Sequence, residues 1–184
     1  MHWVEPLMPW QIGPGYPRWN EVLRDDSEVL VRPVRMEDAD AERVFIQSLS
    51  PEASRYRFLG QIRQPSDALI ATLTDLDYVH DIAFAAVIDN DGVDTFVGVS
   101  RYSTSRDGTD CECAVTVLDA WQHKGLATLL MTHLIEVARS RGIKRMWSID
   151  AADNAAMADL ARHMAFDRTP DPDNASQVIH SLQL

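Results

Sequence analysis

The chain has 184 residues, 46% of them hydrophobic and 24% charged, with a formal net charge of -11 at pH 7. That length suits one domain, with enough apolar material for a sizeable core. The acidic balance lacks the basic face that nucleic-acid phosphates require, and it suits a cationic partner such as an amine or a basic protein.

Residues 1–27 carry Trp3, Trp10 and Trp19 among several prolines, with no helical or strand period. They read as an extended arm that packs on its own domain or on a neighbouring subunit. Glu5 and the prolines stand where the apolar core of a secretory signal belongs, and no run is long enough to span a bilayer. A cytoplasmic location with no membrane partner is the expectation.

From residue 28 a single domain runs to residue 184. Residues 28–34 read as a strand. A helix follows from Met36, with Ala41, Val44, Phe45 and Leu49 at the spacing of one buried face. Ser50 before Pro51 has the grammar of a helix start, and "QPSDALIATLTDLD" repeats it with Leu69, Ile70, Leu73 and Leu76 on one side. Residues 82–89, 94–104 and 111–118 read as strands joined by the turns "DNDG" and "SRDGTD", an antiparallel meander.

A helix begins near Gly125, its stripe made by Leu126, Leu129, Leu130, His133, Leu134, Val137 and Ala138, and it ends at Gly142. Residues 143–150 form a strand. Asp153 or Asn154 caps a last helix with Met157, Leu160, Ala161 and Met164 on one face. "SQVIHSLQL" is the terminal strand. The order is β-α-α-β-β-β-α-β-α-β, an α/β (α+β) fold with a mixed, mostly antiparallel sheet flanked by helices.

Cys111 and Cys113 stand two apart on a strand, which sets their Cα atoms roughly 6.6 Å apart and at the outer limit for a disulfide. The six histidines are scattered, so no metal-ligand spacing appears. Two reduced thiols of a core are expected.

The stretch "VTVLDAWQHKGLATLL" (115–130) carries the chemistry. A strand ends, a short polar loop follows, and a helix opens at a glycine. A helix start leaves free N–H groups and a positive dipole end that favour an anion, and Gly125 lets a ligand approach the backbone. Spacing alone leaves an ordinary loop-to-helix junction as the alternative.

The segment resembles motif A of the GNAT acyltransferases, the family related to Gcn5: a strand ending at Val117, then Gln122-His123-Lys124-Gly125-Leu126-Ala127. "DNAAMADLARHMAF" (153–166) is similar to motif B, with Ala165 where a glycine usually precedes Phe166. "VRPVRMEDADAERVFIQSLSPEASRYRFLG" and "DALIATLTDLDY" resemble the acetyltransferase domain of bacterial Pat-type protein lysine acetyltransferases. The resemblance implies a GNAT fold with acetyl-CoA bound between splayed central strands. It implies that backbone groups of Val115, Thr116 and Val117 meet the pantetheine arm. The amides of Gln122, His123, Lys124, Gly125, Leu126, Ala127 and Thr128 would hold the pyrophosphate. Asn154 would lie near the pantetheine or the thiol.

An amine attacks only when neutral, so a carboxylate in the cleft is needed to take its proton. The resemblance places that base at Glu112, five residues before Val117; a solvated strand glutamate is the alternative. The motif B helix has no Tyr, and His163 and Ser148 are weak substitutes, so no general acid is assigned. The implied function is acetyl-CoA-dependent N-acetylation of a primary amine, a protein lysine before a small amine, with no metal. The competing readings are a non-catalytic acyl-CoA sensor and a partner-binding subunit docked through the arm. The aromatic arm also makes a homo-oligomer plausible.

Overall fold

Alternation along Asp81–Asn90 (β3) decides the layering. Ile82, Phe84 and Ala86 join one core cluster, Ala83, Ala85 and Val87 the other, and all six are buried. A strand apolar on both faces needs cover on both sides. In the computed structural model, which describes residues 11–60, 62 and 64–184, helices supply that cover.

The remaining elements are Trp19–Val22 (β1), Glu28–Pro33 (β2), Ala39–Gln47 (α1), Pro51–Phe58 (α2), Asp67–Thr74 (α3), Val93–Thr104 (β4), Asp110–Val117 (β5), Leu126–Ser140 (α4), Arg145–Ala151 (β6), Ala155–His163 (α5), Asp167–Pro170 (β7) and Gln177–Gln183 (β8). The sheet runs β1-β2-β3-β4-β5-β6-β8-β7. Every neighbouring pair is antiparallel except β5 with β6, which run parallel. On one face α4 packs Leu126, Leu130, Leu134 and Val137 against Phe84 and Val97. On the other, Phe45 and Ile46 of α1 and Ile70 and Leu73 of α3 meet Val87, Phe96 and Val99.

The meander, the helix opening at Gly125 and the last two helical caps form where expected. Asp91 and Gly92 make the β3–β4 turn with φ of 54° and 83°, the paired positive values that a tight hairpin demands. Of the two candidate caps for α5, Asn154 does the work: its side chain accepts from the Met157 N–H at 3.0 Å.

Three expectations change. The predicted order has two helices between the first two strands and the structure has three; it also lacks β7, whose four residues are all exposed and show no apolar period. The sequence of residues 1–27 shows no strand period, yet Trp19–Val22 pairs with Glu28–Val31 at the sheet edge. Tertiary contacts hold this short strand. Trp19 stacks on His133 with ring centroids 3.9 Å apart and meets Phe84 edge-on at 5.2 Å. Glu21 lies 2.7 Å from His133 Nε2. Trp19 therefore packs on its own domain, while Trp3 and Trp10 lie outside the described residues.

The third change is the α1 stripe. Val44 is 54% exposed, and Glu42 is buried beside Phe45 and Ile46. Arg101, 3.6 Å away, pairs with that carboxylate, so the buried face of α1 carries a charge pair, and Val44 of the expected stripe lies outside it. A second buried pair ties β2 to the start of α1: Arg32 donates to both oxygens of Asp38 at 2.7 and 2.9 Å and to Asp94 at 2.9 Å.

Ala165 has φ of 61°, a left-handed conformation that costs a non-glycine residue about 1–2 kcal/mol. Glycine there gives back part of the gain through a freer unfolded chain. Ala165→Gly is therefore expected to raise stability by about 0.5–1 kcal/mol, read as a higher urea midpoint with unchanged slope; a lower midpoint would contradict this account of the turn.

Candidate active site

β5 and β6 pair at only three positions, Asp110 with Arg145, Cys111 with Met146 and Glu112 with Trp147. Both strands continue beyond. β5 stays bonded to β4 as far as Val117 opposite Gly98, and β6 stays bonded to β8 as far as Ala151. Past Glu112 their facing edges have no strand partner among the described residues. Backbone N–H and C=O groups along such edges need a partner from outside the sheet.

A cleft of about 790 Å³ opens at this parting. Its floor is Glu112 to Val117 of β5, with Ile149 and Asp150 of β6 opposite. Glu52, Tyr56 and Arg57 of α2 line it, as do Asn154, Met157, Leu160 and His163 at α5. At the far end stand Gln122, His123, Gly125, Leu126, Ala127 and Thr128, with Arg24 beside them.

The seat of α4 explains that far end. A Cβ on Gly98 would lie 3.0 Å from Leu130 Cδ1 and 3.2 Å from Leu126 Cδ2. Glycine in β4 thus lets α4 approach the sheet closely, just where β5 ends. Gly125 begins the helix with φ of 87°, and His123 has φ of 61°, the kind of backbone alternation from which anion-binding nests are built. Ser50, Ser66 and Asn154 cap α2, α3 and α5 with their side chains, whereas Gly125 at the start of α4 has no side chain to do so. The N–H groups of Leu126, Ala127 and Thr128 have no acceptor within the helix, and these residues border the cleft.

Of the residues singled out in sequence, the structure brings Glu112, Val115, Thr116, Val117, Gln122, His123, Gly125, Leu126, Ala127, Thr128 and Asn154 to one cleft. Several serve differently from their simplest reading. The Gln122 side chain turns back to the Val117 carbonyl at 3.3 Å and so pins the loop. Leu126 buries its side chain in the core and has only backbone to offer. Asn154 spends its oxygen on the cap of α5. Lys124 is not among the cleft residues: its ammonium pairs with Asp25 at 2.9 Å and lies over the Trp121 ring at 4.5 Å. Ser148 is buried and donates to Asp150 at 2.6 Å, which leaves His163 as the weak acid candidate that lines the cleft.

Sequence reasoning missed Arg24, Glu52, Tyr56 and Arg57. The available signal was α2 itself, "PEASRYRF", a helix beside the sheet with no apolar stripe; Ser54 is its one fully buried residue. Tyr56 reaches across to α5, its hydroxyl 3.3 Å from both the Glu52 carboxylate and the Asp153 carbonyl. Loss of solvent and the charges of Asp153 and Glu52 push its phenol upward, so it stays protonated. Burial, with Arg101 close by, pushes the Arg57 guanidinium down to about 10, an effect opposed by Glu42 and Glu112. Burial pushes the Cys111 thiol up to about 12 and raises the Cys113 thiol well above its ordinary value; both are free.

Comparison with known proteins agrees with this geometry. The Acetyltransferase (GNAT) family model matches residues 46–166. An acetyltransferase of Pseudomonas aeruginosa is 47% identical over 166 residues, 90% of this chain and 89% of that one. Acetyltransferase Pat of Mycolicibacterium smegmatis is 30% identical over 106 residues, 57% of this chain and 31% of that longer protein. Among solved structures, the GNAT domain of S. lividans PAT superposes with a TM-score of 0.82 at 27% identity, covering 92% of this chain and 99% of that one. A Salmonella typhimurium protein solved with its cofactor acetyl-CoA shares the fold, with a TM-score of 0.67 at 21% identity over 86% of this chain and 95% of that one. The strand parting, the uncapped glycine-led helix and the family match together show that this chain belongs to the GNAT acetyltransferase family.

Proposed function

We propose that the protein moves the acetyl group of acetyl-CoA to a primary amine, a protein lysine, with Glu112 taking the amine's proton. The observation that carries this reading is the end of β5–β6 pairing at Glu112. It sets an exposed carboxylate at the fork of the cleft, with an open strand edge running from it to the helix start at Gly125. Acetyl-CoA fits these features. Its amide-bearing arm matches an unpaired strand edge, as in strand addition to a sheet, and its diphosphate matches uncapped N–H groups. In this assignment Val115, Thr116 and Val117 hold the arm, and Gly125 to Thr128 with the loop from Gln122 hold the diphosphate. The donor supplies an activated acyl group.

As the amine nitrogen bonds to the carbonyl carbon the C–S bond breaks, and CoA leaves as a thiolate that takes a proton from solvent; this chain's own residues must manage the amine's proton. A lysine with an ordinary pKa near 10.4 costs roughly 4.6 kcal/mol to hold neutral at pH 7. A carboxylate that accepts the proton as attack proceeds removes much of that burden. The carboxylates of Glu52, Glu112, Asp119, Asp150 and Asp159 line the cleft and favour a cationic acceptor, as does the chain's charge of -11. The lysine assignment draws on the Pat-type resemblance and on the likeness to the S. lividans domain. A small amine is the second reading, since the same carboxylate-lined cleft suits any cationic amine. Direct attack is preferred to an acyl-cysteine route because Cys113, the thiol at the cleft, is held protonated by burial. Two free thiols accord with a cytoplasmic setting, and no helix among the described residues is long and apolar enough to cross a membrane.

Incubating the protein with labelled acetyl-CoA and a desalted cell lysate tests the acceptor. Label in protein that depends on Glu112 supports the proposal; label confined to the small-molecule fraction would move the acceptor to a free amine. Glu112→Gln is expected to lower kcat by about 10²–10⁴-fold while acetyl-CoA affinity stays within about twofold; unchanged turnover would remove Glu112 from the mechanism. Gly125→Asp puts a side chain and a negative charge at the helix start, and calorimetry should then detect no acetyl-CoA binding. In the folded protein at pH 8, neither thiol should react with a disulfide reagent until denaturant is added; rapid reaction of one thiol would reopen the acyl-cysteine route.

A further inference from the structure

We propose that Arg24 is a phosphate-binding residue of the donor site, delivered by the turn between β1 and β2; this rests on the acetyl-CoA reading above. Residues 23–27 form a closed turn, with the Leu23 N–H donating to the Ser27 carbonyl at 2.8 Å and Leu23 buried beneath it. The turn is fastened to the loop before α4 on two sides. The Arg24 N–H donates to the Lys124 carbonyl at 3.1 Å, and the Asp25 carboxylate pairs with the Lys124 ammonium at 2.9 Å. Lys124 and Ser27 hold the Asp25 carboxyl down to about 2, so the fastening stays charged at neutral pH.

That fastening lays the Arg24 side chain across Gly125. A Cβ at Gly125 would meet Arg24 Nε at 3.3 Å and its Cγ and Cδ at 3.6 Å. The guanidinium group therefore stands at the start of α4, inside the cleft that Gly125 and Thr128 border.

The electrostatics call for such a group. A helix start supplies about half a positive charge, whereas a diphosphate brings two negative ones. No lysine lines the cleft, and Lys124 is committed to Asp25 and Trp121. Among the described residues the other arginine lining the cleft is Arg57, which belongs to α2 and lies near Glu42 and Glu112. Among the described residues no carboxylate pairs with Arg24. A guanidinium presents parallel donors that match phosphate oxygens. The β1 extension gains a purpose from this: Trp19 and Glu21 anchor β1 on His133 of α4, and the next turn places a cation at that helix's first residue.

Titration calorimetry with CoA and with 3′-dephospho-CoA tests the proposal on the full chain. Arg24→Gln should weaken both ligands by about tenfold, and Arg24→Lys should recover part of the loss. The unfolding midpoint should hold, because Arg24 is exposed, and the loss should raise the KM for acetyl-CoA more than it lowers kcat. Salt should weaken the wild type more than Arg24→Gln, which a purely structural role would not produce. Equal CoA affinity in the wild type and Arg24→Gln would overturn the proposal. A loss seen with CoA but absent with 3′-dephospho-CoA would overturn the placement on the diphosphate. Failure of the wild type itself to bind CoA would overturn the donor reading instead.

Discussion

The parting of β5 from β6 after Glu112 is the constraint on which the site depends. A parallel pair in the middle of a sheet ordinarily satisfies its backbone groups along its length. Here three residue pairs are made, and the remaining length of both strands faces an opening. The fold tolerates this because each strand is secured on its far side, β5 by β4 and β6 by β8. The sheet is thus continuous at its base and forked at its top, and the fork is where an extended ligand can take the place of a strand.

Everything else at the site follows from what that fork needs at its two ends. At the apex is Glu112, the last β5 residue still paired with β6. At the mouth is α4, brought close to the sheet by Gly98 and opened toward the cleft by Gly125. In our proposal one end offers a carboxylate to a cationic amine, and the other offers the N–H groups of the helix start and Arg24 to an anion. An acyl donor with an anionic diphosphate and a reactive thioester separated by an amide-bearing arm is complementary to that polarity. The acidic chain as a whole is compatible with such a ligand in our proposal because the helix start and Arg24 lie at the end where the anion would bind.

Local grammar was legible in the sequence because it is written in adjacent residues. Ser50-Pro51, Ser66, Asn154 and Gly142 mark helix ends, and the polar loop before Gly125 marks the mouth of the cleft. Glu112 was reachable only through the resemblance to motif A, since alternation alone leaves it a solvated strand residue. What stayed hidden depends on contacts distant in sequence. β1 exists because Trp19 finds Phe84 and His133, which no periodicity of four residues can announce. Val44 faces solvent because Glu42 is held by Arg101, a pairing across 59 positions of chain. Tyr56 and Arg57 reach the cleft because α2 lies over β5, and its sequence records only that it has no apolar face to bury.

The most direct test of the central claim is amide hydrogen exchange with and without acetyl-CoA. If the donor completes the fork, exchange slows along residues 113–117 and at residues 126–128, while the edge strands β1 and β7 are unaffected. Tight binding with protection elsewhere and none in those two segments would contradict the account.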